Sequence, residues 1–332
     1  MNKTITLAMG NGGEENNELI TNIFYKAFKN DILEKSEDAA VIYGGELAFS
    51  TDSFTVSPLF FPGGDIGKLA ICGTCNDLAM MGAEPKYLTC SVIIEEGFSI
   101  EELEKIVRSM KEELELNGAI VVSGDTKVVP RGSVDKIFIN TTGIGEIRKK
   151  GISSNNISES DVILVSRDLG RHGAAIFAAR EGIELSSDLK SDCASLTFQV
   201  RALIEADVKI TAMRDATRGG VSAVLNEWAR QSNVCLEIEE ASIPISEEVY
   251  GICELLGFEA VDLANEGTFV LAIDKEDEEK ALGVLRKFEN SSNAVKIGIV
   301  SDAYVGKVLM LAAHGTRRFL DVPRGELLPR IC

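Results

Sequence analysis

The sequence closes on Pro329-Arg330-Ile331-Cys332, a thiol on the last residue of a segment that reads as a mobile arm. A sulfur at that position can be threaded into a narrow site and withdrawn, and its thiolate is a nucleophile. The placement suits a group loaded at one site and processed at another. Prenylation does not account for it, since that signal needs three residues beyond the cysteine. Four acids stand at turn-like positions: Asp38 in Glu-Asp-Ala-Ala-Val, Asp52 in Ser-Thr-Asp-Ser, Asp77 in Cys-Asn-Asp-Leu-Ala and Asp125 in Ser-Gly-Asp-Thr-Lys. One aspartate in a turn is ordinary. Four of them, the last followed by Thr126 and Lys127, are expected to converge on the strand-end loops where α/β layers bind ligands. Carboxylates gathered there repel one another unless a divalent cation neutralises them, so a metal–phosphate site is expected.

Other motifs carry weaker signals. In Arg214-Asp215-Ala216-Thr217-Arg218-Gly219-Gly220 the glycines open a helix, where backbone N–H groups approach an anion. A tight strand–helix turn capped by Thr217 or Asp215 explains the same residues equally well. Glu266, in Ala-Asn-Glu-Gly-Thr before an apolar strand, is a candidate general base or a solvated turn residue. Gly63-Gly64-Asp65-Ile66-Gly67-Lys68-Leu69 lacks the glycine spacing and Ser/Thr of a P-loop. Gly10-Asn11-Gly12-Gly13 is a flexible segment able to lie over phosphates. Cys72-Gly73-Thr74-Cys75 has no second pair, and His172 and His314 are the only histidines, so neither a zinc centre nor a Ser-His-Asp hydrolase is supported.

Hydrophobic periodicity places these residues on elements. Residues 39 to 56 read as two strands around Gly44-Gly45, and a helix from Asp65 stops at Gly82. Leu103, Ile106, Val107, Met110 and Leu114 recur at helical spacing. Strands at 87–94, 119–123 and 136–144 complete a first half. The polar run Lys149–Asn156 is the expected linker. A second half holds strands near 161–166, 208–213, 233–239, 267–273 and 294–300, and helices near 171–181, 194–206 and 218–230. The expected fold is therefore α/β in composition (α+β), with domains over 1–148 and 149–312 and a tail over 313–332.

The 332 residues suffice for two cores. A formal net charge of -18 excludes non-specific binding to nucleic acid or to an anionic membrane. Seven cysteines in mostly apolar segments, with no secretory signal, fit a reducing cytoplasm. No apolar run approaches the ~20 residues that span a bilayer. The tail carries Arg317, Arg318, Arg324 and Arg330 against Asp321 and Glu326, which draws it toward an acidic body.

Taken together, Phe49-Ser50-Thr51-Asp52-Ser53-Phe54, Ser57-Pro58-Leu59-Phe60-Phe61-Pro62-Gly63-Gly64-Asp65-Ile66-Gly67, Asn76-Asp77-Leu78-Ala79-Met80-Met81-Gly82-Ala83, Gly124-Asp125-Thr126-Lys127-Val128-Val129, Asp215-Ala216-Thr217-Arg218-Gly219-Gly220-Val221 and the closing Pro-Arg-Ile-Cys resemble the HypE family of hydrogenase maturation factors. That family lies within the aminoimidazole-ribonucleotide-synthetase-like (PurM-like) superfamily of ATP-binding proteins. The resemblance spans nearly the whole chain. It implies an N-terminal domain that dimerises by pairing sheets and carries the ATP site, covered by a C-terminal α/β domain.

It further implies that Asp38, Asp52, Asp77 and Asp125 hold Mg2+ and ATP, with Thr126, Gly219 and Gly220 at the nucleotide. Lys127 and Glu266 are implied near the reacting group, with Asp77 as the second candidate base. Cys332 is implied to receive a carbamoyl group from the carbamoyltransferase HypF, to be dehydrated at the expense of ATP, and to pass cyanide to iron on the HypC–HypD scaffold. Met9 stands where the family has a histidine, and Glu37 where it has an aspartate. A selenophosphate synthetase, thiamine-phosphate kinase or purine-ring synthetase shares the ATP fold without needing the cysteine arm. A nucleotide-gated carrier needs the arm without the chemistry.

Overall fold

The computed structural model describes residues 4–10, 12–183, 189–312, 315–325, 328 and 330–332. Asn11 of the glycine-rich segment, Ala313 as the start of the tail, His314, Glu326 and Pro329 lie outside the described residues. A helical segment not foreseen from the sequence comes first: α1 (Glu14–Leu19), a wide turn Ile20–Tyr25 and α2 (Lys26–Phe28). β1 (Ala40–Ile42) and β2 (Leu47–Phe54) form the expected hairpin, followed by the two-residue strands β3 (Phe60–Phe61) and β4 (Gly64–Asp65). Asp65 then caps α3 (Ile66–Met80), its carboxylate accepting from the N–H groups of Gly67 and Lys68. β5 (Ala83–Glu95), α4 (Ile100–Asn117), β6 (Ile120–Val129) and β7 (Ile137–Ile147) complete the first domain.

Its sheet runs β1-β2-β7-β5-β6, antiparallel except for the β5–β6 pair. α3 is buried almost all round, as its run of apolar and small residues requires. It packs on this sheet, on α4, and on the second domain, making it the spine between the two layers. Among the described residues none forms a layer over the opposite face of the sheet. Phe49, Tyr87, Ile93 and Ile120 are exposed there, and Val121, Val122 and Val128 are exposed along the unpaired edge of β6. Val107 of α4, expected inward, faces solvent, whereas Ile106 and Met110 are buried.

The second domain comprises β8 (Asp161–Val165), α5 (Arg171–Glu181), α6 (Thr197–Glu205), β9 (Ile210–Asp215), α7 (Gly220–Gln231), β10 (Cys235–Glu239), α8 (Glu247–Leu256), β11 (Phe269–Asp274), α9 (Glu278–Leu285), β12 (Val295–Ser301), β13 (Lys307–Leu311) and β14 (Arg317–Phe319). Its sheet runs β14-β13-β10-β12-β8-β11-β9. β8 is buried at every position, consistent with its continuous apolar run. β14 departs from the expected tail: Arg317–Phe319 pairs with β13 and extends the sheet.

Candidate active site

A cavity of about 660 Å³ opens between the two domains, walled by Gly12, Asn16, Ile20 and Tyr25 of the N-terminal segment on one side. Its floor is acidic. Asp38 arrives just before β1, Asp52 from within β2, Asp77 from α3, and Asp215 from the end of β9. Burial pushes Asp38 up to about 6, against the opposing pull of Arg214, whose Nε lies 2.5 Å from its Oδ1. Burial and then the charges of Asp215, Asp38 and Asp52 hold Asp77 well above the usual carboxylate range. Asp215 is raised in the same way, first by burial and then by Asp38. The cluster is thus electrostatically frustrated, as gathered carboxylates must be.

Asp38 Oδ2 is buried with no partner, and the floor offers only oxygen donors, the set a hard divalent cation takes. Among the described residues no three acids, cysteines or histidines stand close enough to grip a metal by themselves. A magnesium ion held by one or two carboxylates and completed by phosphate oxygens and water fits this arrangement. The wall that carries Ile20 and Tyr25, with Val224 and Gln231, is less charged than the floor and suits a nucleoside.

The last residues enter from the side of this cavity. Cys332 is only 8% exposed and belongs to the core cluster around α3 together with Ile331. Burial pushes its thiol up to about 12; Arg218 pulls it down, and Glu266, Asp52 and Asp215 push it further up. The sulfur therefore sits among Arg218, Glu266 and the acidic floor, in its neutral form. Glu266 is buried at 3% exposure, and its Oε1 has no partner. Burial, then Cys193 and Asp215, raise its carboxyl well above the usual range.

The loop carrying Glu266 is fixed by Asp192, whose carboxylate accepts from the N–H groups of Glu266 (3.1 Å) and Gly267 (3.0 Å) and from the Thr268 hydroxyl (2.8 Å). Residue 267 must be glycine, because a Cβ there would lie 1.9 Å from the Asp192 carbonyl oxygen. From α3, Asn76 donates to the carbonyl of Ala194 (3.1 Å) and accepts from the Leu196 N–H (2.8 Å), tying Asp77's neighbour to the same loop.

The expected site residues do not all meet. Asp38, Asp52, Asp77, Glu266 and Cys332 converge. Asp125, Thr126 and Lys127 do not, within one chain. The Ser-Gly-Asp-Thr passage, expected to be a turn, continues β6, because its backbone pairs with β5 from Thr89 through Val92. Asp125 aligns with Ser91, Asn140 and Ser53 across the sheet, three strand spacings (roughly 14 Å) from β2. It shares the face of Ser53, opposite to that of Asp52, and its carboxylate binds the Lys127 amine 2.6 Å away.

Gly219 and Gly220 do not line the main cavity. Their positive φ values and close approaches, to the Gly12 and Val261 carbonyls respectively, make them packing glycines at the start of α7. Glu37 lines the cavity beside Asp38, while its Oε1 accepts from Ser153 and Ser154 at the linker. Met9 lies in the turn Leu7–Gly10, where its carbonyl accepts from Asn16. Cys72 and Cys75 are buried, unpaired thiols in α3.

Sequence reasoning passed over Asp215, Arg218, Asp192 and His172 as site residues. Asp215 carried the same signal as Asp38, an acid at the end of an apolar strand. The arm is docked, not loose: Arg324 meets Glu14 at 2.5 Å and Arg318 meets Glu259 at 2.5 Å, as its charge balance anticipates.

Residues 36–147 match the family model of the AIR synthase related protein N-terminal domain, and residues 158–310 that of its C-terminal domain. The chain is 45% identical over 336 residues to the carbamoyl dehydratase HypE of Escherichia coli (strain K12), covering 99% of each. Among solved structures it is similar to HypE in a HypE–HypF complex, with a TM-score of 0.87, 44% identity, and coverage of 92% of this chain and 99% of that one. It is also similar to HypE in complex with ATP, with a TM-score of 0.83, 44% identity, and coverage of 99% and 100%.

Proposed function

Because the chain belongs to the carbamoyl dehydratase HypE family, we propose a division of labour among its residues for the ATP-dependent conversion of a thiocarboxamide on Cys332 to a thiocyanate. The protein is an ATP-dependent dehydratase in hydrogenase maturation, and HypF is its partner. The amide oxygen of a thiocarboxamide is a poor leaving group. Transfer of the γ-phosphoryl group onto it makes phosphate the departing species, and loss of both N–H protons leaves the C–N triple bond. The observation that carries the assignment is the buried thiol of Cys332, within electrostatic reach of Arg218, Glu266 and Asp52, together with the buried, unpartnered oxygen of Glu266.

Glu266, starting as the carboxylate, takes one amide proton and the departing phosphate takes the other; the desolvated carboxyl retains its proton strongly once it has one. Arg218, beside the sulfur and at the cavity wall, offsets charge on the transferring group. Asp52 and Asp77, with Asp38 and Asp215 behind them, would hold Mg2+, which supplies charge neutralisation at the phosphates when bound. The neutral, buried thiol is unfit for loading, since the thiolate is the nucleophile, so the arm must leave to be carbamoylated.

A homodimer formed through the open face of the first sheet is part of this reading. The exposed apolar residues of β2, β5 and β6 support it, and pairing there would deliver Asp125, Thr126 and Lys127 to the site of a second copy. Transfer of cyanide to an iron-bearing HypC–HypD scaffold and a cytoplasmic location complete it. Seven unpaired cysteines favour a reducing compartment, and among the described residues no helix is long and apolar enough to cross a membrane. Mass spectrometry of the C-terminal peptide after incubation with HypF, carbamoyl phosphate and ATP tests the chemistry. The expected result is gain of a carbamoyl group followed by loss of one water. A carbamoyl adduct that persists with ATP present would sink the dehydration step for this chain.

A further inference from the structure

Two buried thiols and a glutamate near the base have no part in the chemistry above. Lys68 and Cys72 stand one turn apart on α3, and Glu113 reaches both from α4. Its Oε1 lies 3.5 Å from the Lys68 amine, and its Oε2 accepts from the Cys72 thiol at 3.3 Å. Cys72 is fully buried and Glu113 is 7% exposed, whereas the Lys68 side chain keeps 27% of its surface in solvent. Cys72 also hydrogen-bonds Cys193, a buried thiol on the loop that precedes α6 in the second domain. The main chain of Glu266 brackets that residue: its N–H donates to Asp192 (3.1 Å), and its carbonyl accepts from the Ala194 N–H (3.4 Å).

Glu266, Cys193, Cys72, Glu113 and Lys68 thus form a line from the buried base to the surface, crossing from one domain to the other. After burial, Cys193 is the strongest influence raising the Glu266 carboxyl. Burial pulls the Lys68 amine down, but Cys193, Glu113 and Cys72 together hold it above its ordinary value. Glu266 does not line the main cavity. The docked tail is pinned by its main chain: the Cys332 carbonyl accepts from the N–H (2.9 Å) and hydroxyl (3.1 Å) of Thr55, and the Ile331 carbonyl lies 2.7 Å from His172 Nε2. A carboxyl this deep holds its proton, yet it must be the carboxylate when it meets the thiocarboxamide, so that proton needs a route out.

We propose that Cys193, Cys72 and Glu113 are that route, a proton relay that acts through Glu266. The Glu266 carboxyl passes its proton to Cys193 Sγ while the Cys193 S–H proton moves to Cys72 Sγ and the Cys72 S–H proton moves to Glu113 Oε2. Three bonds to hydrogen break and three form, and no electrons are exchanged. Glu266 is left as the carboxylate, both thiols stay neutral, and Glu113 yields the proton to water beside Lys68. A thiol is a weak donor and a weak acceptor. Concerted transfer spares either sulfur a buried charge, which the Cys193 hydrogen bond and burial oppose at Cys72. The inference rests on the dehydration reading with Glu266 as the base, and it adds the residues that ready that base.

The test is single-turnover dehydration of S-carbamoyl protein mixed with Mg2+ and ATP, read by mass spectrometry of the C-terminal peptide in H2O and in D2O. The wild-type reaction should slow in D2O along a curved proton inventory, because several protons move together. Cys72→Ala and Cys193→Ala should each slow it about ten- to a hundredfold, whereas Cys72→Ser and Cys193→Ser, which keep a hydroxyl to carry the proton, should stay within about fivefold. Glu113→Gln should slow it about tenfold or more and recover in acetate buffer, whose carboxylate replaces the lost one at the partly exposed exit. Equal slowing by serine and alanine in proteins that melt normally would overturn the relay. Should the alanine proteins unfold, Glu113→Gln decides the matter, and no recovery in acetate would overturn the relay. Wild-type protein that makes no thiocyanate refutes the dehydration reading. Normal wild-type turnover with all three variants within about twofold of it refutes the relay alone.

Discussion

Replacing Asp192 with Asn removes one acceptor from the loop that holds Glu266. The Asn carbonyl can keep the place of Oδ2, accepting from Gly267 N–H and the Thr268 hydroxyl. Its amide then faces the Glu266 N–H, donor against donor. One charge-assisted bond is lost and a buried N–H is left unsatisfied, costing about 1–3 kcal/mol. The two remaining bonds lose their ionic partner and weaken by roughly half, adding about 1 kcal/mol. Asp192 is buried at 3% exposure, so solvent does not screen this loss. The expected destabilisation is about 2–4 kcal/mol by urea unfolding. Turnover should fall about a hundredfold, the cost of displacing a reacting group by about an ångström. ATP affinity should stay within about twofold, because Asp192 does not line the nucleotide cavity. Thr268→Val, which removes one bond alone, calibrates the series at about 1 kcal/mol. An Asp192→Asn protein with native stability and native turnover would refute the claim that this carboxylate positions the base.

Glu266→Gln should bind ATP and accept the carbamoyl group yet accumulate S-carbamoyl Cys332, read by mass spectrometry; normal thiocyanate formation would remove Glu266 from the base role. The nucleotide-free protein should lose stability as pH rises. Asp38, raised from 3.8 to about 6, contributes stability that is fully present below about pH 4 and is lost as pH passes through 6. Asp77, Asp215 and Glu266 are raised too and extend the loss upward, at roughly 1.4 kcal/mol per pH unit per group. Asp77→Asn should therefore raise the melting temperature at pH 7 while abolishing turnover; a lower melting temperature would contradict the repulsion described here. For Asp125, mixing Asp125→Asn protein with Asp52→Asn protein should restore roughly a quarter of wild-type turnover per site if the residues act across a dimer, as random pairing dictates. No recovery on mixing would count against that arrangement.

Much of the site was legible because an acid placed beside an apolar strand is costly unless it has a task. Asp38 and Asp52 declared themselves in that way, and Asp77 as an acid among the small and apolar residues of α3. Asp215 has the same signature at the end of Ile210–Asp215, but a strand–helix turn capped by Thr217 or Asp215 explains it equally well from the sequence. Asp125 misled for the converse reason. Its Ser-Gly-Asp-Thr neighbours favour a turn, yet ladder pairing to Thr89–Val92 keeps the backbone extended. The tail was judged by its apolar content, which is small. What ties it down is its carbonyl groups, and every residue carries one, so composition gave no warning. His172 and Asp192 were silent because their partners lie 159 and 74 residues away along the chain.

The same geometry explains why the protein tolerates so much unfavourable charge. α3 presents Asp77 to the acidic floor and, one residue earlier, Asn76 to the loop that ends at Glu266. The acids that would meet the phosphates and the base that would meet the thiocarboxamide are thus linked through one buried helix turn. Without a cation the floor repels itself; with one, that repulsion becomes attraction. The gain is delivered where Asp77 sits, beside the Asn76 contacts that fix the loop. The arm closes the opposite side of the loop through Ser191 and His172. The tail reaches Ser191 through His172, one residue before Asp192, whose carboxylate holds the Glu266 N–H.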